Sequence, residues 1–171
     1  MRRVPDKLRM QHPRHCVTAL TATFESAQAD LVDDDVHDAV AIRSRHLAAF
    51  LFACATAALQ LRLRSLESVI AGVRHRKATL APRGAPFDRA RDRELVAVFN
   101  RLRPLVFSSR RIDQFSSLAL IEFLALHGSF PTWVWGVTQQ PVLTHNWVQQ
   151  DGWVFNEPVE YVLRFTPILA V

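Results

Sequence analysis

The sequence contains little cysteine, and this scarcity bears on where the protein works. Its 171 residues include two cysteines, Cys16 and Cys54, which lie far apart along the chain. Such spacing gives no disulfide framework, which is typical of proteins that fold in a reducing cytosol. The hydrophobic share of 49% is large enough to build the core of one modest domain.

The sequence also lacks an export signal and a long hydrophobic run. Residues 1–15 contain several basic residues, but no apolar segment follows them, so a signal peptide is not indicated. The longest apolar run, 47–59, has 13 residues, fewer than the roughly 18 that a membrane-spanning helix needs. It predicts a buried helix and no membrane span, and we expect a cytoplasmic bacterial protein.

Acidic residues are scarce in the middle of the chain. Residues 60–112 hold 13 Lys and Arg against four Asp and Glu, whereas 113–171 hold one Arg against five acids. A basic surplus can mark a nucleic-acid surface, but here no aromatic residues interleave with it and no recognition motif accompanies it. We therefore expect no nucleic-acid partner, and an acidic precursor or partner protein suits this charge better.

Local patterns predict helices in the first two thirds of the chain. A helical pattern extends from Ala39 to about Lys77, with Gly72 as an interruption. Residues 82–86 contain two prolines and a glycine, which indicates a turn and a linker. A further helix begins at Asp88, carries an apolar stripe and ends at Pro104.

The last sixty residues predict one more helix, followed by a sheet. Asp113 stands where a helix would begin, as an N-cap that complements the helix dipole. Strand-like segments follow at 132–137, 144–148 and 153–157. The fold expected is α+β, with N-terminal helices packed against a mainly antiparallel, four-stranded C-terminal sheet.

A histidine and a glutamate lie on neighbouring predicted strands. A three-residue loop at 150–152, with Gly152 in the left-handed conformation, would place Glu157 opposite His145 on one face of the sheet. A two-residue turn at Asp151 and Gly152 would instead pair Glu157 with Asn146. An imidazole oriented by a carboxylate is the usual partner of a nucleophile at a helix N-terminus.

Several motifs in this region resemble one known family. They are the helix segment 117–120, the strand segments 133–137 and 145–148, the pair 156–157, and the terminal residues 165–171. In order and spacing they are similar to the lasso-peptide biosynthesis B proteins of the microcin-J processing type. The C-terminal domain of those proteins is a transglutaminase-like cysteine peptidase with a papain-like core, which removes the leader from a ribosomally made precursor peptide.

The resemblance implies a catalytic triad with one substitution that matters. His145 falls on the family histidine and Glu157 on the family aspartate, which keeps a carboxylate beside the imidazole. Asp113 falls on the family cysteine, so the thiol is missing. Cys16 and Cys54 do not lie at this helix start and do not replace it.

Other chemistry at these positions stays open. Ser116 and Ser117 follow Asp113 by about one helical turn, without the exposed amides of the first turn, and favour packing over catalysis. The two carboxylates and the imidazole could activate water or hold a metal. The remaining histidines show no ligand spacing, so we expect neither a metal nor another cofactor.

The resemblance also implies partners and a domain arrangement. The expected partners are the precursor's leader peptide and an asparagine-synthetase-like lasso cyclase. Residues 1–40 are too few for the full leader-recognition element of fused relatives, so either they are a remnant of it or a separate protein presents the leader. Residues 41–104 form a helical region and 105–171 the peptidase core. Two functions compete: leader removal, and binding of the precursor without cleavage for delivery to the cyclase.

Overall fold

The computed structural model describes residues 41–81, 88–107 and 114–171, which form helices and one sheet. The sheet has four strands, and every paired neighbour is antiparallel. The predicted α+β class is confirmed. The predictions for residues 1–40 and 82–86, and for Asp113, lie outside the described residues.

The first helical stretch is divided into two helices, and not where the sequence indicated. α1 spans Ser44–Leu63 and α2 spans Leu66–Leu80. The break lies at Ser65, whose side chain caps α2 by accepting a hydrogen bond from the Ser68 amide at 3.3 Å. Gly72, the predicted interruption, lies inside α2, because a lone exposed glycine costs a helix only about 1 kcal/mol.

The next helix follows its sequence pattern. α3 spans Arg89–Leu102, and a short 3-10 turn continues it over Arg103–Leu105. The Asp88 carboxylate caps α3 by accepting from the Arg91 amide at 3.1 Å. The predicted apolar stripe is buried: Leu95, Val96, Val98, Phe99 and Leu102.

α4 is the central helix, and it spans Gln114–Leu126. Every residue from 116 to 124 is buried, since α1 packs along one side of α4 and the sheet along another. Even Glu122 is buried, where it accepts two hydrogen bonds from Arg76 at 2.7 and 2.8 Å and one from Gln60 at 2.9 Å. This carboxylate ties α1 and α2 to α4.

The sheet follows α4. β1 spans Thr132–Gln139, β2 Val142–Gln150, β3 Trp153–Val154 and β4 Thr166–Ala170, with the short helix α5 at Val159–Val162 before β4. Their order across the sheet is β3, β2, β1, β4. Strand β3 therefore lies at one edge, and it covers only the last part of β2.

The sheet separates two apolar clusters. The helix face packs on the helices through Trp133, Val148 and Val171. The far face carries a smaller cluster that contains Trp147, Phe165 and other buried side chains, with Val162 of α5 covering it. Because strand side chains alternate between faces, each position of β2 belongs to one environment or the other.

Helix α1 is buried along one side only. Phe50, Ala53 and Ala57 have no exposed surface, whereas Phe52 is 62% exposed and Leu59 58%. The prediction of a buried helix at 47–59 is therefore correct for one side of the helix and wrong for the other. By length and composition alone α1 could cross a membrane, with 28% of its apolar window buried inside the protein; its buried side packs on α4.

Candidate functional site

The candidate site contains a histidine bound to a carboxylate. His145 lies on β2, and its Nε2 donates a hydrogen bond to Oε1 of Glu157 at 2.9 Å. The two side chains are only 13% and 10% exposed. A carboxylate that accepts from one ring nitrogen fixes the orientation of the imidazole and assigns proton exchange to the other nitrogen, Nδ1.

The turn that precedes Glu157 differs from the one that we favoured. Asp151 and Gly152 form a two-residue turn, both with positive φ (46° and 82°), so that Gln150 pairs with Trp153. The expected three-residue loop is therefore wrong. Asp and Gly are the pair that best adopts such a turn, whose twist matches that of the strands. A regular continuation of this register would carry Glu157 away from His145.

Asn156 explains why Glu157 nevertheless reaches His145. β3 ends at Val154, and the chain bends before Glu157. The Asn156 side chain makes the hydrogen bond that a strand backbone would otherwise make to β2: its Oδ1 accepts from the Val148 amide at 2.9 Å. Its Nδ2 donates to the Ser117 hydroxyl on α4 at 3.0 Å. Asn156 thus holds the Glu157 segment to both β2 and α4.

Aromatic rings surround the imidazole on the far face. Its ring centroid lies 5.2 Å from Tyr161, 5.2 Å from Phe165 and 6.5 Å from Trp147, the last nearly parallel at 19°. These rings limit the rotation of His145 and exclude water from one side of its hydrogen bond with Glu157. The sequence analysis did not assign Tyr161 or Phe165 to the site, because only the α5 turn brings them to β2.

Gly136 makes room for this arrangement. It lies on β1 directly opposite His145. A Cβ atom at Gly136 would come within 2.9 Å of both the Trp147 ring and Cβ of Phe165. Glycine is therefore required because Trp147 and Phe165 pack against the bare backbone of β1.

The position of the missing thiol, Asp113, lies outside the described residues, so its predicted approach to His145 stays a prediction. Alternation along β2 puts His145 on the same face as Trp147, whereas α4 packs on the helix face. Among the described residues, none pairs with the β2 edge before Val148 on the β3 side, and a group at the start of α4 would have to pass this edge to reach the imidazole. Ser117, about 4.5 Å of helix rise beyond Gln114, the first residue of α4, is bonded to Asn156 beside that edge.

The described alternatives to a thiol at position 113 are buried. Ser117 has no exposed surface and its hydroxyl is bonded to Asn156, and Ser116 is 2% exposed. Burial raises the pKa of the Cys54 thiol to about 11, so at neutral pH it is not the thiolate that a nucleophile requires. Cys16 lies outside the described residues. Within the described ranges no group of three or more His, Cys, Asp or Glu side chains is arranged to hold a metal ion.

Comparison with known proteins gives one match. The model of a family described as the transglutaminase-like superfamily matches residues 55–170, which is more than half of the chain. The matched region contains α2 to α4, all four strands and the His145–Glu157 pair. No curated protein and no solved structure matches the chain significantly.

Proposed function

The chain belongs to the transglutaminase-like superfamily, and from this premise we propose that it serves lasso-peptide maturation by removing the leader from a precursor peptide. The observation that carries the proposal is the hydrogen bond of 2.9 Å between His145 and Glu157. It provides an oriented base of the kind that peptide cleavage by a nucleophile needs. The setting is the bacterial cytoplasm, together with the cyclase that closes the lasso ring.

Each residue has a role in this proposal. Glu157 holds Nε2, so His145 would accept and return a proton through Nδ1. Asn156 fixes the Glu157 segment relative to α4, the helix that begins beside position 113. The tyrosine, phenylalanine and tryptophan around the imidazole keep it in one orientation.

The aspartate at position 113 favours a second candidate function. A carboxylate cannot form the thioester that divides amide cleavage into two easier steps. In this alternative the chain binds the precursor without cleaving it and delivers it to the asparagine-synthetase-like cyclase. Burial of Ser116 and Ser117 supports this alternative, since neither hydroxyl is available as a substitute nucleophile.

The experiment that separates the two functions restores the thiol. Wild type, His145→Ala, Asp113→Cys and the double variants Asp113→Cys/His145→Ala and Asp113→Cys/His75→Ala are incubated with a cognate precursor and any leader-binding partner. Leader release is followed by mass spectrometry. His75 is exposed on α2, so its removal controls for the loss of an imidazole away from the site.

Because position 113 carries a carboxylate, we expect wild type to cleave very slowly or not at all, which is the result that the binding alternative predicts. Asp113→Cys should cleave in a reaction that needs His145, which would show that the rest of the peptidase site is in place. Efficient cleavage by wild type, lost in His145→Ala, would show that the silent alternative is wrong and that Asp113 acts through water. If Asp113→Cys stays inert while the precursor still binds, leader removal is wrong for this chain and the binding function stands.

A further inference from the structure

An open groove of about 830 Å³ lies at the opposite end of α4 from position 113. Its walls come from the N-terminal half of α1, from α3, and from the last residues of α4. The lining side chains are mostly apolar, among them Phe52, Leu95 and Leu126, and the charged ones are Arg45, Arg91 and Glu94.

Two large apolar side chains on the walls are exposed to solvent. Phe52 is 62% exposed and Leu126 is 51% exposed. Together with the alanines of α1 they form a concave apolar surface, which is the usual shape of a peptide-binding site for one large anchoring side chain. The groove is not a continuation of the His145 site, since α1, α3 and the end of α4 form its walls, whereas His145 lies on β2 and faces the far side of the sheet.

The charged groups at the groove favour an anionic occupant. Arg45 and Arg91 contribute two guanidinium groups against one carboxylate, that of Glu94. The pKa of His46 is lowered, mainly by burial and next by the positive charge of Arg45. His46 therefore adds no charge at neutral pH. The Arg91 guanidinium is held in place by a hydrogen bond to the His127 carbonyl.

The same charges disfavour a second copy of the chain. A twofold dimer across this groove would place each surface against its own copy. The interface would then hold four guanidinium groups from Arg45 and Arg91 against two Glu94 carboxylates, and this surplus of positive charge disfavours it. A flat membrane surface also fits poorly, because the apolar side chains line a concavity between three helices.

We propose that this groove is an exosite, a binding site apart from the reacting groups, for an acidic peptide segment with a large apolar anchor. The inference rests on the proposed function, since the segment would belong to the same precursor whose leader reaches His145. The anchor would pack between Phe52 and Leu126, and its neighbouring carboxylates would pair with Arg45 and Arg91.

The test uses a designed probe that does not depend on knowing the precursor. A fluorescein-labelled peptide of 12 residues, with one Phe and one Leu among four Glu in a Gly and Ser background, is titrated with the full chain, and its anisotropy is measured. Two further probes replace the four Glu by Lys, or replace Phe and Leu by Ser. We expect only the first probe to bind, and to bind more weakly as salt is raised.

Matched variants on α1 locate the binding. Phe52→Ser should weaken binding roughly tenfold, because aromatic anchors carry much of the energy of such contacts. Leu59→Ser, at a residue 58% exposed on the same helix outside the groove, should leave binding unchanged. Arg45→Glu should weaken it by a similar factor, whereas Arg62→Glu near the other end of α1 should not.

Equal binding of the acidic and basic probes, or equal effects of Phe52→Ser and Leu59→Ser, would overturn the proposal. A doubled mass in light scattering that Phe52→Ser abolishes would show that a second copy occupies the groove. Binding to phosphatidylglycerol vesicles in place of the probe would show that a membrane surface does. Binding that appears only after residues 1–40 are deleted would also overturn the proposal, since the occupant would then be the chain itself. Cleavage and probe binding are separate readouts. Absence of cleavage by Asp113→Cys with intact probe binding counts against the proposed function, and cleavage by Asp113→Cys without probe binding counts against the exosite.

Discussion

Asn156 offers the sharpest test of how the site is held together. Its side chain accepts a hydrogen bond from the Val148 amide on β2 and donates one to the Ser117 hydroxyl on α4. Asn156→Ala removes both bonds at once. The amide of Val148, a fully buried residue, would lose its partner, and the segment that carries Glu157 would lose its link to α4.

The expected cost can be estimated from these contacts. Each hydrogen bond contributes about 1 kcal/mol net, and an amide left without a partner in the interior costs about 1 to 3 kcal/mol. Asn156→Ala should therefore destabilise the protein by about 2 to 3 kcal/mol, which lowers the Tm of a domain of this size by roughly 4 to 12 °C. Ser117→Ala removes only one of the two bonds and should cost about 1 kcal/mol.

The assay is a double-mutant cycle in urea denaturation. Wild type, Asn156→Ala, Ser117→Ala and the double variant are unfolded under the same conditions, and the coupling energy between the two sites is calculated. We expect a coupling of about 1 kcal/mol, above the roughly 0.3 to 0.5 kcal/mol within which independent sites add. The effect on catalysis is measured in an Asp113→Cys background, at a temperature where every variant is folded. There Asn156→Ala should slow leader release roughly tenfold, because a small displacement of Glu157 would misplace the His145 imidazole.

Additive energies in the cycle would refute the reasoning, because they would mean that Asn156 and Ser117 do not interact in solution. Unchanged leader release in a folded Asn156→Ala variant would separate the two roles. The asparagine would then support the fold without positioning Glu157.

The remaining predictions concern the β1 glycine and the buried histidine of α1. Gly136→Ala should destabilise the protein by about 1 to 3 kcal/mol in urea denaturation, since its Cβ would lie 2.9 Å from the Trp147 ring. Gly72→Ala, in a helix with open space around it, should be neutral or stabilising by up to about 1 kcal/mol; equal losses in both would contradict the packing argument. The pKa of His46 is lowered by burial, so His46 is protonated at a higher pH in the unfolded chain than in the folded one. The free energy of unfolding should therefore fall as pH drops through the ordinary pKa of 6.5. His46→Gln should flatten the dependence of the urea midpoint on pH between about 7 and 5, and exposed His75→Gln should not; an unchanged slope in His46→Gln would refute this.

Sequence reasoning worked where the determining interactions are local. Asp88 and the apolar stripe of α3 lie within one helix, so cap and periodicity suffice to predict it. The sequence pattern placed the helix break at Gly72, but the structure has it at Ser65, which caps α2. Both residue types occur at helix ends, so the sequence alone does not decide between them. The exposed side of α1 was missed because an apolar run shows no periodicity that would reveal an uncovered face.

By itself, the sequence determined the class of the fold and the residue types at the site. Helical periodicity, strand alternation and turn residues act over a few positions and can be read in order along the chain. The tertiary structure alone decided that Glu157 meets His145. That contact depends on the bend after Val154, and the bend is held by a bond between Asn156 and Ser117, 39 residues apart. No local pattern encodes such a contact, because its energy exists only once α4, β2 and the chain after β3 have packed together.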